Sequence, residues 1–270
     1  MPELPEVEVT RRGLVEPLEG ATVQSARLGK PLRWPLGVPV SALQGRTVRA
    51  LQRRGKYIIL VLDQGVLLIH LGMSGSLRFD AQLPPPGTHD HFDLVTDRGG
   101  LRLHDPRRFG AVVWAPDIDA DMAVKLLARL GMEPLSDDFV FARFWEGLQK
   151  SRTPIKQLLL GGQLVVGVGN IYASEVLYLA GIAPTKPANT VRKAQALRLH
   201  AAIQQVLAKA IELGGSTLRD FVQVDGYAGA YQAQANVYGR GGEACKQCGG
   251  TISTIKQGQR STYFCAHCQK

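Results

Sequence analysis

Residues 245–268 read CKQCGGTISTIKQGQRSTYFCAHC, and Cys245, Cys248, Cys265 and Cys268 in this stretch are the only cysteines of the 270-residue chain. Two C-x-x-C pairs, separated by a connection long enough for a β-hairpin, can place four thiolates tetrahedrally around one zinc ion. The competing reading is a pair of disulfides or four idle thiols. Against it stands the confinement of every cysteine to one terminal segment, in two pairs of the same spacing. Metal binding in so small a segment would itself be folding free energy. From Tyr238 onward the tail carries Arg240, Lys246, Lys256, Arg260 and Lys270 against Glu243 alone, which makes the finger a candidate phosphate clamp.

The rest of the chain is basic too, with 32 Lys and Arg against 23 acids, a formal charge of +9, and 45% hydrophobic residues. That balance favours a polyanionic partner, and the length suits two domains plus the finger. The opening MPELPEVEVTRR has no basic region followed by an apolar run, so it does not read as a secretory signal. The most apolar stretch, 57–71, is interrupted by Asp63 and Gln64 and cannot span a bilayer. Thiolate zinc ligands fit a reducing compartment. The expectation is a soluble, intracellular protein.

Residues 3–17 can form one helix, with Glu3, Glu6 and Glu8 near its positive end and Arg11 and Arg12 further along. Short apolar or alternating runs follow at 22–28, 47–52, 57–62, 66–71, 91–96, 101–104 and 111–114, separated by turns such as Asp63-Gln64-Gly65. This is the rhythm of a β-sandwich or barrel. After Pro116 the spacing becomes helical, at 123–130, 139–148, 155–160, 171–180 and 191–213, and the last run places Leu199, Ile203, Val206, Ala210 and Leu213 on one stripe. The change of period at 131–136 marks a linker. The chain therefore divides into 1–132, 133–235 and 236–270, an α+β protein with an N-terminal β-sandwich and leading helix, a helical domain, and a β-hairpin zinc finger.

Four further features carry chemistry. Removal of Met1 would leave a prolyl amine at Pro2, and a neutral amine is a nucleophile; α-amino groups have reference pKa values of about 7.7–8.0. A secondary amine condenses with an aldehyde-level carbon to an iminium with no N–H to lose, so its charge persists as an electron sink. Gly167-Val168-Gly169-Asn170-Ile171 precedes a helix, where backbone N–H groups bind anions; Asn170 reads equally well as a plain N-cap. Met73, Arg108 and Phe109 sit beside turn formers, where exposed Met and Phe can wedge between bases while Arg replaces lost pairing. Burial in a core is the alternative for Met73 and Phe109. Lys56, after Gly55, is a catalytic ammonium or a surface charge with its stem packed down.

Taken in order, PELPEVE at 2–8, His70-Leu71-Gly72-Met73-Ser74-Gly75, Asp105-Pro106-Arg107-Arg108-Phe109-Gly110, GVGNIYASE at 167–175, Tyr238-Gly239-Arg240 and the four-cysteine finger resemble bacterial formamidopyrimidine-DNA glycosylases over the whole chain. The resemblance implies a helix-two-turn-helix DNA glycosylase and AP lyase for oxidised purines, with duplex DNA in the cleft between domains. It implies Pro2 as nucleophile, Glu3 as proton donor and relay, Glu6 as a further catalytic residue, and Lys56 as the basic residue assisting at the lesion. Met73, Arg108 and Phe109 would fill the void left by the extruded nucleotide, and His70, His91, Asn170 and Arg260 would contact DNA. Zinc would be structural, held by all four cysteines, with no catalytic metal or redox cofactor.

The lesion-facing loop falls at 216–232. Gly161-Gly162 departs from the family's acidic or amide pair, a change expected to loosen a helix end by roughly 1 kcal/mol per glycine. Two rivals remain: an oxidised-pyrimidine glycosylase of the same fold, which typically has glycine where this chain has Leu4, and a non-catalytic zinc-dependent protein that recognises damaged DNA. A monomer in the bacterial cytoplasm, associated with the nucleoid, is the simplest expectation.

Overall fold

The computed structural model describes residues 1–216 and 230–270, which fall into two compact units. The first is Met1–Arg129 with Gly214, Gly215 and Ser216; the second is Leu130–Leu213 with Ala230–Lys270. The lesion-facing loop expected at 216–232 lies, for 217–229, outside the described residues.

Helix α1 (Leu4–Leu18) opens the first unit. Two four-stranded antiparallel sheets follow, in the orders β1-β6-β7-β5 and β2-β3-β4-β8. The strands are β1 (Val23–Leu28), β2 (Val48–Arg54), β3 (Tyr57–Leu62), β4 (Val66–His70), β5 (Ser76–Asp80), β6 (Asp90–Thr96), β7 (Gly99–His104) and β8 (Ala111–Ala115). The continuous apolar runs at 57–62 and 66–71 are explained by burial on both faces. Ile58, Leu60, Leu67, Ile69 and Val112 point into the core shared with Leu77, Phe92, Leu94, Leu101 and Leu103 of the facing sheet and Val7, Leu14 and Leu18 of α1. Their neighbours Ile59, Val66, Leu68 and Val113 point the other way, towards Ala123 of helix α2 (Asp121–Leu127). The period of two along each strand thus splits one hydrophobic run between two cores. Strand β5 is absent from the sequence expectation because SLRFD offers only Leu77 and Phe79 to the core.

The second unit holds helices α3 (Phe141–Gln149), α4 (Ile155–Gly161), α5 (Asn170–Ala180) and α6 (Lys193–Glu212), a short turn of helix α7 (Tyr231–Gln234), and the hairpin β9 (Ile252–Gln257) and β10 (Arg260–Cys265). The expected stripe of α6 is buried at Leu199, Ile203, Val206 and Ala210, whereas Leu213 is the half-buried residue that ends the helix. Gly162 corrects a second expectation. It is the C-cap of α4 at φ 71°, a left-handed position where glycine relieves strain instead of loosening the helix.

Candidate active site and nucleic-acid interface

The carboxylates at the head of α1 do more than complement a helix dipole. Glu3 and Glu6 are 2% and 0% exposed and form a reciprocal capping box, in which the Glu3 N–H donates to Glu6 Oε2 at 2.8 Å. The other Glu6 oxygen accepts from the Ser216 N–H at 2.7 Å and from its hydroxyl at 3.1 Å. Gly215, at φ +82°, lies so close that an added Cβ would sit 3.0 Å from Glu6 Oε1. One buried carboxylate therefore joins the amino end of the chain to the residue that precedes the undescribed segment. Pro2 is buried at the start of this network.

Two loops build the wall beside it. Asp105, fully buried, accepts from the Ser74 hydroxyl at 2.8 Å and from the Gly110 N–H at 2.7 Å. Gly72, at φ +64°, approaches the backbone of Phe109 so closely that any side chain there would collide at 2.4 Å. The 70–75 and 105–110 loops are thereby locked together, and they hold Met73 and Phe109 out at 39% and 45% exposure. Neither residue is core. Arg107 stacks over the Phe109 ring at 4.9 Å, and Arg108 takes φ 56°, a conformation uncommon outside glycine. Met1, Arg33, His70, Gly72, Met73, Arg108 and Phe109 line one cavity of about 560 Å³. Arg33, which no sequence motif singled out, belongs to this wall because its N–H donates to the Gly110 carbonyl at 3.1 Å.

His70 stacks at a tilt on Tyr57, with ring centroids 4.8 Å apart, and its Nδ1 accepts from the Gly72 N–H at 3.0 Å. Burial, with the nearby Lys56 and Arg33 charges, pushes its pKa down to about 4. At neutral pH His70 is thus an uncharged imidazole whose Nε2–H can donate. The sign of the linkage is fixed by that shift. Protonation favours the unfolded chain, so His70 costs stability as pH falls from about 6.5, and the loss is complete near the folded value of about 4. The size is on the order of 3 kcal/mol. Thermal melts of wild type and His70→Asn should diverge with pH across that window, with the variant flatter; parallel curves would refute the assignment.

His91 lies outside this cavity. The resemblance puts it among the DNA contacts; here it is 1% exposed, and among the described residues neither ring nitrogen has a hydrogen-bond partner. It is packed under Gly29, where an added Cβ would lie 2.5 Å from the Asp90 carbonyl, and it lines a separate cavity of about 350 Å³ with Leu28, Trp34 and Leu36. Its ring is withdrawn from solvent, unlike Met73 and Phe109.

In the second unit Asn170 is not the N-cap of α5; Gly169 is. The Asn170 side chain instead accepts from Lys156 Nζ at 2.7 Å and donates to the Ser261 carbonyl at 3.0 Å. Lys156, fully buried, also donates to the Thr262 hydroxyl at 2.6 Å. The helix start and the finger strand are thus one bonded assembly, and Arg260 stands exposed beside it at the first position of β10. The preceding turn has φ 54° at Gly258 and 63° at Gln259, as a tight hairpin requires. Glu175, also fully buried, accepts from the N–H groups of Asn236, Val237 and Tyr238 at 2.8–2.9 Å. Sequence reasoning passed over Lys156 and Glu175, although a lone charge inside an apolar helical run was the available signal.

The four cysteine sulfurs lie within 4.8 Å of one another. Cys245 and Cys268 are separated by 3.9 Å and Cys248 and Cys265 by 3.5 Å, far beyond the ~2.05 Å of a disulfide. Zn–S bonds of about 2.3 Å in a tetrahedron put sulfurs about 3.8 Å apart, so the donor set fits one structural zinc. Four thiolates complete its shell and leave no position for a reacting water. The Tyr178 hydroxyl lies 3.3 Å from Cys245 Sγ, and Tyr178, Val237 and Ile252 pack around Cys245 and Cys265. The site is tied in this way to α5.

Comparison with known proteins agrees with this geometry. Residues 1–112 match the formamidopyrimidine-DNA glycosylase N-terminal domain, residues 130–222 the formamidopyrimidine-DNA glycosylase H2TH domain, and residues 242–270 the zinc finger found in FPG and IleRS. The formamidopyrimidine-DNA glycosylase of Acidovorax sp. (strain JS42) is 62% identical over 270 residues, with 100% of both chains covered. That of Serratia proteamaculans (strain 568) is 49% identical over 272 residues, again with 100% of both covered. Among solved structures, MutM (Fpg) from Thermus thermophilus has a TM-score of 0.91 at 40% identity, covering 99% of this chain and 98% of that one. A Lactococcus lactis Fpg variant in complex with Fapy-dG-containing DNA has a TM-score of 0.92 at 38% identity, with 100% of both covered. The class that the fold and site define is the DNA glycosylase with a helix-two-turn-helix domain and a zinc finger. The chain belongs to the formamidopyrimidine-DNA glycosylase family. Among the described residues no helix is long and apolar enough to cross a membrane.

Proposed function

We propose that the chain is a bifunctional base-excision enzyme that removes oxidised purines, chiefly 8-oxoguanine and formamidopyrimidines, from duplex DNA and then cleaves the strand. The observation that carries this reading is the one cavity lined by Met1, His70, Met73, Arg108 and Phe109. It brings the amino end together with the residues suited to replace an extruded nucleotide. A relative bound to 8-oxo-G-type DNA, with a TM-score of 0.91 at 38% identity, supports the substrate class.

In this reading Met1 is removed and the Pro2 nitrogen attacks the sugar C1′. The damaged base leaves with a proton delivered through Glu3, and the opened sugar remains joined to Pro2 as an iminium. The iminium charge acidifies the C2′ proton, so elimination expels the phosphate on the 3′ side and then the one on the 5′ side. Lys56, close enough to depress the His70 pKa, serves as the basic group at the lesion. Glu6 holds Glu3 in place. Asn170 and Arg260 contact phosphate, supplying affinity without sequence information. Residues 1–132 carry the chemistry, 133–235 and 236–270 the grip on DNA, in a monomer of the cytoplasm.

Excision from duplexes containing 8-oxoguanine or thymine glycol tests the substrate class. Faster release from 8-oxoguanine is expected. Faster release of thymine glycol would transfer the chain to the oxidised-pyrimidine reading, and release of neither would leave a protein that only binds damage.

A further inference from the structure

Glu8 and Arg53 have no part in the reaction just described, yet both are buried or nearly so and they join its two ends. Glu8 is 8% exposed and lies on α1 just beyond the Glu3–Glu6 capping box. Its carboxylate accepts from Arg11 at 2.8 and 3.1 Å, from Arg12 Nε at 2.8 Å and from Arg53 Nε at 3.1 Å. Arg53, whose side chain is 11% exposed, is the penultimate residue of β2 and donates its Nη1 to the Gly55 carbonyl at 2.9 Å. Gly55 turns the chain at φ 57°, and Lys56 is the next residue.

A second set of bonds, sharing Arg11 with the Glu8 cluster, also holds α1 on β2. Glu19 Oε1 accepts from the Leu51 N–H at 3.0 Å, and Arg11 Nη1 donates to the Leu51 carbonyl at 3.1 Å. What the Glu8–Arg53 pair adds is a fixed point on the carbonyl that precedes Lys56. A planar guanidinium is suited to this, because its fork can hold a carboxylate with one edge and a carbonyl with another, which a lysine ammonium cannot reproduce in the same geometry.

We propose that Glu8 and Arg53 are positioning residues that set the Lys56 ammonium relative to the amino end of α1. The proposal rests on the prolyl reading above, in which Pro2 and Lys56 act on the same nucleotide. Misplacing a reacting group by about 1 Å costs up to about a hundredfold in rate, so a strut of this kind should act on the chemical step and hardly on DNA affinity.

The test is a cycle of variants: Glu8→Gln, Arg53→Lys, Lys56→Gln, and each of the first two combined with Lys56→Gln. Each is assayed, well below its melting temperature, for single-turnover strand cleavage of a duplex containing 8-oxoguanine and for affinity towards an uncleavable tetrahydrofuran duplex. Glu8→Gln and Arg53→Lys should each slow cleavage roughly 10-fold or more with affinity little changed. In the Lys56→Gln background neither should cause a further loss. Arg53→Lys keeps the charge and serves if Glu8→Gln fails to fold. Unchanged rates, or losses that multiply in the double variants, would overturn the proposal. Borohydride trapping of wild type in parallel separates the two levels: trapping with multiplying losses removes only the strut, and absence of trapping removes the prolyl reading itself.

Discussion

Pro2→Gly should abolish strand scission, by at least about a hundredfold in single-turnover rate, while affinity for a tetrahydrofuran duplex changes only a few-fold. The asymmetry follows from where Pro2 stands. Phosphate affinity is assigned to Asn170 and Arg260, in the other compact unit, whereas Pro2 contributes one nitrogen and a ring. Glycine keeps an amine but not the secondary iminium, whose charge persists because there is no N–H to lose. It also gives up the ring that restricts the amino end beside the Glu3–Glu6 capping box. Loss of binding in step with loss of scission would mean that Pro2 is a folding residue, and the nucleophile would have to be sought elsewhere.

Removal of zinc should have the second largest effect, and on the opposite property. The finger buries few side chains: Cys245, Ile252 and Cys265 meet Tyr178 and Val237, and a lone two-stranded hairpin is marginal in water. Structural zinc contributes about 10–16 kcal/mol in comparable small sites, far more than that cluster can replace. Cys248→Ser, or chelation, should therefore release one equivalent of zinc and unfold the hairpin. Arg260 would lose its fixed place and affinity for DNA should fall by roughly tenfold or more, with a shallower salt dependence. The β-sandwich should keep its own melting transition. A zinc-free variant with undiminished affinity would show that the finger does not grip DNA.

Much of the molecule was legible because its signals are local. The spacing of four cysteines predicts the finger, period-two runs predict the strands, and the stripe at Leu199, Ile203, Val206 and Ala210 predicts the core face of α6. The motif order picked out Met73 and Phe109, which are exposed and share a cavity with His70 and Arg108. What stayed hidden depends on partners far away in the chain. Glu8 reaches Arg53 across 45 positions, Glu6 reaches Ser216 across 210, and Lys156 reaches Thr262 across 106. No window of sequence contains both members of such a pair. Asn170 was misplaced as a possible cap for the same reason, since its real partners, Lys156 and Ser261, lie on other elements. The burial of His91 under Gly29 is likewise a property of tertiary packing.

The most direct test of the prolyl mechanism is incubation with an 8-oxoguanine duplex under borohydride, followed by intact-mass measurement and peptide mapping of the trapped complex. The expected product is one enzyme joined to one sugar through the nitrogen of Pro2, on a chain from which Met1 is absent. A fully active chain that retains Met1, an adduct on Lys56 or any other side chain, or no adduct at all would contradict it.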